Sequence, residues 1–581
     1  MNILFLLLTA IPVFFLAYRV YAYFIARNLG EDPHRPTPAV AMKDGRDYVP
    51  TKLHVLFAHH FSAIAGAGPI VGPTMAVLYG YLPAWLWVVL GGIFIGAVHD
   101  FTSLFVSIQE KGKSMAEIAR KTMGQSGFAL FILFTIVMIV LVTSSFLSAI
   151  AISLTSEWPI AKLGLSPNQT LLRMEITSDG TVLGRIGGIA STSVIIITLF
   201  APFLGFLIYK RRVPIVLAYL IAFVVGFFSI LIGIAHPVTL SANVWMVIIS
   251  FYVFFAAGLP VWLILQPRDF INVQILYGGI IIFLVSIVAG GLQGMRMNIP
   301  PFNLAEGAAK LGFVWPMLFI TVACGAISGF HALVAGGTTS KQISNEADAK
   351  RIGYGGMLLE STVAVCTIIA LGSGLAFMDY KSVVWPSLAQ MKSNPVLGFS
   401  LAMGGLVQKG IHIPVALGAV FGILLVEGFV ITTLDAAVRL NRYLFEELWN
   451  ILFKNPPAFL KWYWFNSGLA VFLMWLLAYK NAFSAIWPVF GTANQLLAAL
   501  SLVAISVWLL LRKKKAWFVI VPAFFMLATT LASLLILLVK KYLPTGNLSL
   551  IIADLLLLFL SLGALYVAGK TYGTLNLKFK I

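Results

Sequence analysis

Apolar stretches of membrane-spanning length recur from one end of these 581 residues to the other. A run of about 20 such residues reads as a transmembrane helix. Only 10% of the residues are charged and 60% are hydrophobic, with a mean hydropathy of +0.96; a soluble multidomain chain carries about a quarter charged residues. The sequence therefore predicts an all-α polytopic membrane protein, with 15 transmembrane helices. Basic residues test that count. With the N-terminus outside, inner loops hold 27 Lys and Arg and outer loops 11. One span too many or too few would scramble this alternation. An odd count places the C-terminus in the cytoplasm, and the first stretch, lacking a basic leader or cleavage site, reads as a retained span. The net charge of +18 is spread over many short loops, so it reads as topology and not as nucleic-acid binding. Cys324 and Cys366 lie in apolar runs and read as reduced core thiols.

One stretch cannot be a plain lipid-facing helix. Residues 57–73 read FAHHFSAIAGAGPIVGP, with His59, His60 and Ser62 leading into Gly66, Gly68 and Pro69. Glycine weakens a helix and proline removes a backbone donor, so the ladder is expected to open here. At membrane depth an open ladder is tolerated only against protein or a watery cavity. Secondary transporters hold substrate and coupling ion on such broken helices. A second interruption is expected at Gly258 and Pro260, inside the span 243–265, five spans later. Paired interruptions of that kind point to an inverted repeat of two five-helix units with the site between the breaks. The expected division is an accessory helix and loop (1–52), a transport core (53–434, as repeats 53–234 and 243–434) and accessory helices (435–581). A carboxylate substrate is expected at His59, His60, Ser62, Gly66, Gly68, Pro69, Gly258 and Pro260, because freed N–H groups and half-helix N-termini favour negative charge.

Ionisable side chains at membrane depth are costly and ask for a reason. His99, Asp100, His331 and Glu427 fall with the two histidines in the inner half of their spans at 1.5 Å per residue. They either carry protons, as a His and carboxylate set can near pH 7, or hold helices together by hydrogen bonds. Thr338 and Thr339 can coordinate an ion or cap a helix end. Glu360 and Asp435 are expected near the inner surface, paired with Lys350 or Arg351 and with Arg439. Asn494 and Gln495 read as glue between helices. Adjacent histidines diverge by about 100° on a helix, so no metal site is expected, and no cofactor. No nucleophile triad, nucleotide loop or redox motif is present, so the chain reads as a transporter and not an enzyme.

Several of these segments resemble the carbon starvation protein family, the CstA family of peptide and pyruvate transporters. The resemblance is carried by HHFSAIAGAGPIVGP (59–73), QPRDF (266–270), SGFHALVAGGTTSK (328–341), GYGGMLLES (353–361), ITTLDAAVRLNRY (431–443) and FGTANQLLAAL (490–500). It implies a LeuT-type core and a bacterial inner-membrane importer, induced when carbon is scarce. Peptides or pyruvate would be the cargo and a proton, or alternatively sodium, the coupling ion. It supplies no set of binding residues. A passive channel is the remaining alternative.

Overall fold

Each long apolar stretch winds into a helix, because a helix alone pairs its own backbone groups away from water. The computed structural model describes all residues except 45–47, 167, 179, 261, 388–391 and 580–581, and the side chains of 574–579. In chain order the main helices are α1 (Ile3–Leu29), α2 (Leu53–Ile64), α3 (Gly68–Ala76), α4 (Tyr81–Gln109), α5 (Met115–Leu154), α6 (Gly187–Lys210) and α7 (Ile215–Ala235). There follow α8 (Ala242–Gly258), α9 (Leu265–Leu292), α10 (Val314–Thr321), α11 (Phe330–Gly337) and α12 (Lys350–Gly374). The last are α13 (Phe377–Val384), α14 (Pro395–Ile411), α15 (Val415–Leu452), α16 (Tyr463–Lys480), α17 (Phe483–Leu511), α18 (Trp517–Thr545) and α19 (Leu548–Gly573). Eleven helices are long and apolar enough to cross a bilayer singly. Among the described residues two further pairs, Leu53–Ile64 with Gly68–Tyr79 and Leu304–Leu311 with Val314–Thr321, are bent at short breaks and raise the number to at most 13, against the fifteen expected; α8 and α16, of 17 and 18 residues, are shorter. We call the end bearing the more basic loops the inner end.

Two five-member units emerge from length and packing. The 40 residues of α5 are matched by the 38 of α15, the 17 of α8 by the 18 of α16, and the 28 of α9 by the 29 of α17. Helices α5, α8, α15 and α16 all touch one another and form a scaffold. The broken pairs α2/α3 and α10/α11 pack with α4 and α12 as a bundle. Reciprocally, α9 lies on α15 and α17 lies on α5. This is an inverted-repeat core of the LeuT type, with α1, α18 and α19 as accessories.

The boundaries differ from those expected. Helices α6 and α7 form a hairpin against α9 and α15, inserted within the first unit, so the expected repeats 53–234 and 243–434 do not follow the packing. The first unit runs from α2 to α9 and the second from α10 to α17. Gly258 and Pro260 therefore do not interrupt a span. They end α8, whose terminal carbonyls at Ala256 and Leu259 accept hydrogen bonds from Arg439 at 2.7 and 2.5 Å. A cation there complements the negative end of the helix dipole. The partner of the α2/α3 break is instead residues 322–329, between α10 and α11. That segment holds two glycines and no proline, so a reading keyed to Gly-Pro passes over it.

Two outer connectors are structured. Strands β1 (Glu157–Pro159), β2 (Met174–Ile176) and β3 (Val182–Arg185) form an antiparallel sheet with β3 in the middle. Helices α13 and α14 fold back into the protein: Tyr380 donates to the Thr74 carbonyl at 2.8 Å, and Asn394 to Ser156 Oγ at 2.9 Å.

Candidate functional site

The α2/α3 helix pair bends by 44° across Ala65, Gly66 and Ala67. Its outer half, α3, is buried throughout. The break is packed, not empty. A Cβ on Gly68 would lie 2.1 Å from Cys324 Cβ, and one on Gly66 would lie 3.2 Å from Thr433 Oγ1. Gly68 and Pro69 thus bring the two interruptions into contact, while Gly66 meets the scaffold at Thr433 and Phe146.

The second interruption exposes more backbone, and α17 answers for it. Asn494 Oδ1 accepts from the Phe330 N–H at 3.0 Å, and its amide donates to Ser328 Oγ at 3.0 Å. Gln495 donates to the Phe319 carbonyl at 2.7 Å, Ser361 to Gly325 at 3.0 Å and Trp87 to Phe319 at 3.1 Å. A buried amide group left unpaired costs about 1–3 kcal/mol. The two side-chain amides read as helix glue are therefore what keeps this segment unwound.

Beside the breaks lies a buried polar chain. His99 on α4 bonds through Nδ1 to Asp100 Oδ1 at 2.8 Å, and Asp100 Oδ2 meets Nδ1 of His331 on α11 at 2.7 Å. His331 Nε2 is 3.2 Å from Glu360 Oε2 on α12, close but not aligned as a hydrogen bond. All four side chains are buried. Glu360 is thus not an inner-surface partner of Lys350 or Arg351: the α12 helix carries it inward to the His331 ring. His60 stands nearby, buried, with Nδ1 2.8 Å from Thr339 Oγ1. Thr338 is exposed at the inner end of α11 and donates only to the Val334 carbonyl.

The remaining residues separate by helix face. His59 and His60 diverge as neighbours on a helix must: His60 enters the bundle, whereas His59 is exposed with Val55 on the inner half of α2. Ser62 is half-buried toward the same face. Across from it, Asp269 on α9 is 32% exposed and lies within electrostatic reach of His59. Ala436 on α15 and Gly337 on α11 are exposed in the same region. These positions are exposed or half-buried, whereas on the outer side α3 is buried throughout and carries α13 and α14.

Asp269 belongs to a second charged group. Arg268 pairs with Asp435 at 2.6 Å and Asp269 at 3.2 Å; Tyr252 donates to Asp435 at 2.7 Å and also contacts Arg268; Thr432 donates to Asp269 at 2.9 Å. The expected pairing of Asp435 with Arg439 is therefore replaced, since Arg439 is occupied by the end of α8. Glu427 stands apart from the His331 chain. It accepts from Ser153 of α5 and lines a cavity of about one water's size with Arg268, Asn272 and Ser193. Gly258 packs against Trp464 and Tyr463, so neither it nor Pro260 faces the first break.

The sequence profile described as carbon starvation protein CstA matches residues 2–388 and, overlapping, 376–533. The peptide transporter CstA of Campylobacter jejuni is 33% identical over 559 residues, covering 86% of this chain and 75% of that one. That of Bacillus subtilis is 30% identical over 542 residues, covering 87% and 84%. The pyruvate/proton symporter BtsT of Escherichia coli is 31% identical over 579 residues, covering 88% and 78%. Among solved structures, a manganese transporter mutant of Eremococcus coleocola aligns over 92% of this chain and 99% of its own at 12% identity, with a TM-score of 0.48. MhsT in complex with L-phenylalanine aligns over 88% and 98% at 13% identity, with a TM-score of 0.45. Both likenesses are too loose to bear on the site.

Proposed function

The chain belongs to the carbon starvation protein CstA family, and from that membership we propose that it is a secondary active transporter importing small carboxylate nutrients, peptides or pyruvate, by proton symport. The observation that carries the reading is the buried chain His99–Asp100–His331–Glu360. It ties α4, α11 and α12 together next to both interruptions. Four titratable groups buried together hold charge at high cost. A proton arriving at the His331–Glu360 pair changes that cost, and with it the preferred packing of the bundle on the scaffold. Alternating access then follows as rocking of α2/α3, α4, α10/α11 and α12 against α5, α8, α15 and α16.

The substrate enters along the bundle–scaffold seam, beside His59, Ser62, Asp269 and Ala436. The setting is a bacterial inner membrane, with the N-terminus outside, the C-terminus cytoplasmic and use under carbon starvation. No cofactor takes part. Uptake into proteoliposomes under an imposed pH gradient tests the coupling. Accumulation should follow the gradient, collapse with a protonophore and be indifferent to sodium. Glu360→Gln and His331→Gln should lower gradient-driven uptake at least tenfold while leaving exchange of substrate across the membrane. Uptake that ignores the protonophore, or requires sodium, overturns proton coupling. Flux that never saturates makes the protein a channel.

A further inference from the structure

Helix α5 is interrupted near its inner end. At Gly124 the backbone takes φ 76° and ψ −170°, while the rest of α5 keeps helical angles. Only glycine adopts that conformation without strain. A Cβ built on Gly124 would meet nothing within 4 Å, so backbone conformation, not crowding, asks for glycine here. Gly124, Gln125 and Ser126 are all exposed. Just beyond them, a Cβ on Gly127 would lie 2.6 Å from Met123 Cβ, so the two pieces of α5 fold tightly on each other across the bend.

The two pieces are held by different bodies. Residues 115–123 hang on the bundle. Ser114 accepts from the Glu117 N–H and starts this piece as a helix of its own. Lys121 donates to Glu110, at the end of α4, at 2.6 Å, and Ser107 of α4 donates to the Lys113 carbonyl at 2.7 Å. A Cβ on Gly336 of α11 would lie 3.1 Å from Ser114 Cα. The longer piece belongs to the scaffold: α5 packs along α15, α16 and α8, and Ser153 donates to Glu427 of α15. The chain thus passes from bundle to scaffold at one residue.

We propose that Gly124 is the joint on which the bundle swings at the inner end: residues 115–123 travel with α4 and α11, while 125–154 stay with the scaffold. This rests on the reading of alternating access as rocking. Hinges are a few element-terminal positions that absorb large changes in φ and ψ. A bend within 125–154 would break ladder hydrogen bonds, whereas at Gly124 the helical course is already interrupted. Glycine there has the widest choice of backbone angles, and the exposure of 124–126 leaves room to turn.

Gln125→Pro fixes the joint as it stands. Proline is tolerated in a first helical turn and confines the residue before it to extended ψ, which Gly124 already has. The variant should unfold at the wild-type Tm yet take up dialanine or pyruvate at least tenfold more slowly, whereas Gln125→Gly should stay within twofold of wild type. Spin labels on Val55→Cys of α2 and Asn450→Cys of α15, both exposed positions, read the swing in the purified full chain without any need for transport. They should give two distances whose weights change between alkaline and acidic buffer, and one distance once Gln125→Pro is added. Ser114→Cys with Gly336→Cys should cross-link on mild oxidation and leave uptake intact, because both residues ride on the bundle; this arm decides alone if the proline variant does not fold. Wild-type uptake by Gln125→Pro, two distances persisting in it, a single distance in the wild type, or uptake stopped by the cross-link overturns the joint. Two distances in a wild-type protein that takes up neither cargo sink the transporter reading and leave the joint standing.

Discussion

At Gly68 a single hydrogen atom decides whether the two interruptions can meet. The Cβ of any other residue would sit 2.1 Å from Cys324 Cβ and 2.3 Å from its Sγ, far inside contact distance, and the surrounding backbone is buried on both sides. Overpacking of this kind costs about 1–3 kcal/mol or more. Gly68→Ala should therefore lower Tm and suppress uptake, and Cys324→Gly placed in the same chain should recover much of both, because it removes the two closest atoms. Recovery failing while the single Cys324→Gly protein behaves normally would show that the glycine serves backbone conformation instead of close approach. The motif around this residue was legible from sequence because glycine, proline and histidine are unusual company in an apolar run. The role of Cys324 was not, since a lone cysteine in an apolar stretch looks like any small core residue.

Elements are held to one another by a few charged contacts at the inner end, and Glu110 is the best defined. It follows the last turn of α4 and accepts from Lys121 at 2.6 Å, Trp508 at 2.7 Å and Arg512 at 2.6 Å, joining α4 to α5 and α17. Burial pushes its carboxyl up, but the hydrogen bonds from Lys121 and Trp508 and the charges of Lys121 and Arg512 outweigh it and hold the group below the usual carboxylate range. A carboxyl depressed in the folded state contributes stability above its unfolded value, near 4.5, and loses it as pH falls through the folded one. Glu110→Gln should thus lower stability at pH 7, with the difference fading below about pH 4. Because Lys121 and Arg512 are 57% and 37% exposed, water discounts the loss to about 1–2 kcal/mol. A deficit that persists unchanged well below pH 4 would mean that shape, not charge, is what the glutamate supplies. At this scale the long spans were readable, since hydropathy and loop charge are both local. The pairing of spans was not. Counting five along the chain fails when a hairpin such as α6–α7 is inserted, and only the matched lengths of α5 with α15 and α9 with α17 reveal the true partners.

On the outer side of the molecule α3 is buried throughout, and the α13–α14 segment lies on it. If the bundle rocks on the scaffold, that contact must part for substrate to enter from outside. A tether across it should therefore arrest transport without disturbing either half. Gly398 on α14 suits the purpose once the Val384 side chain, 2.6 Å away, turns aside: a Cβ built there lies 3.8 Å from Thr74 Cγ2, one bond beyond Thr74 Cβ, which puts the pair close to the Cβ separation of about 3.5–4.5 Å that a disulfide requires. The native thiols Cys324 and Cys366 are both buried, so competing pairs are disfavoured. Thr74→Cys with Gly398→Cys should cross-link on mild oxidation, lose nearly all uptake, and regain it on reduction, while each single variant stays active and insensitive to oxidant. Under cross-linking, His59→Cys added to the pair should remain reactive toward a membrane-impermeant thiol reagent applied from the inner side, because the tether leaves the exposed face of α2 that carries residue 59 untouched. Full uptake through a cross-linked protein would mean that the outer segment moves with the bundle, and that the route into the site lies elsewhere than between α3 and α14.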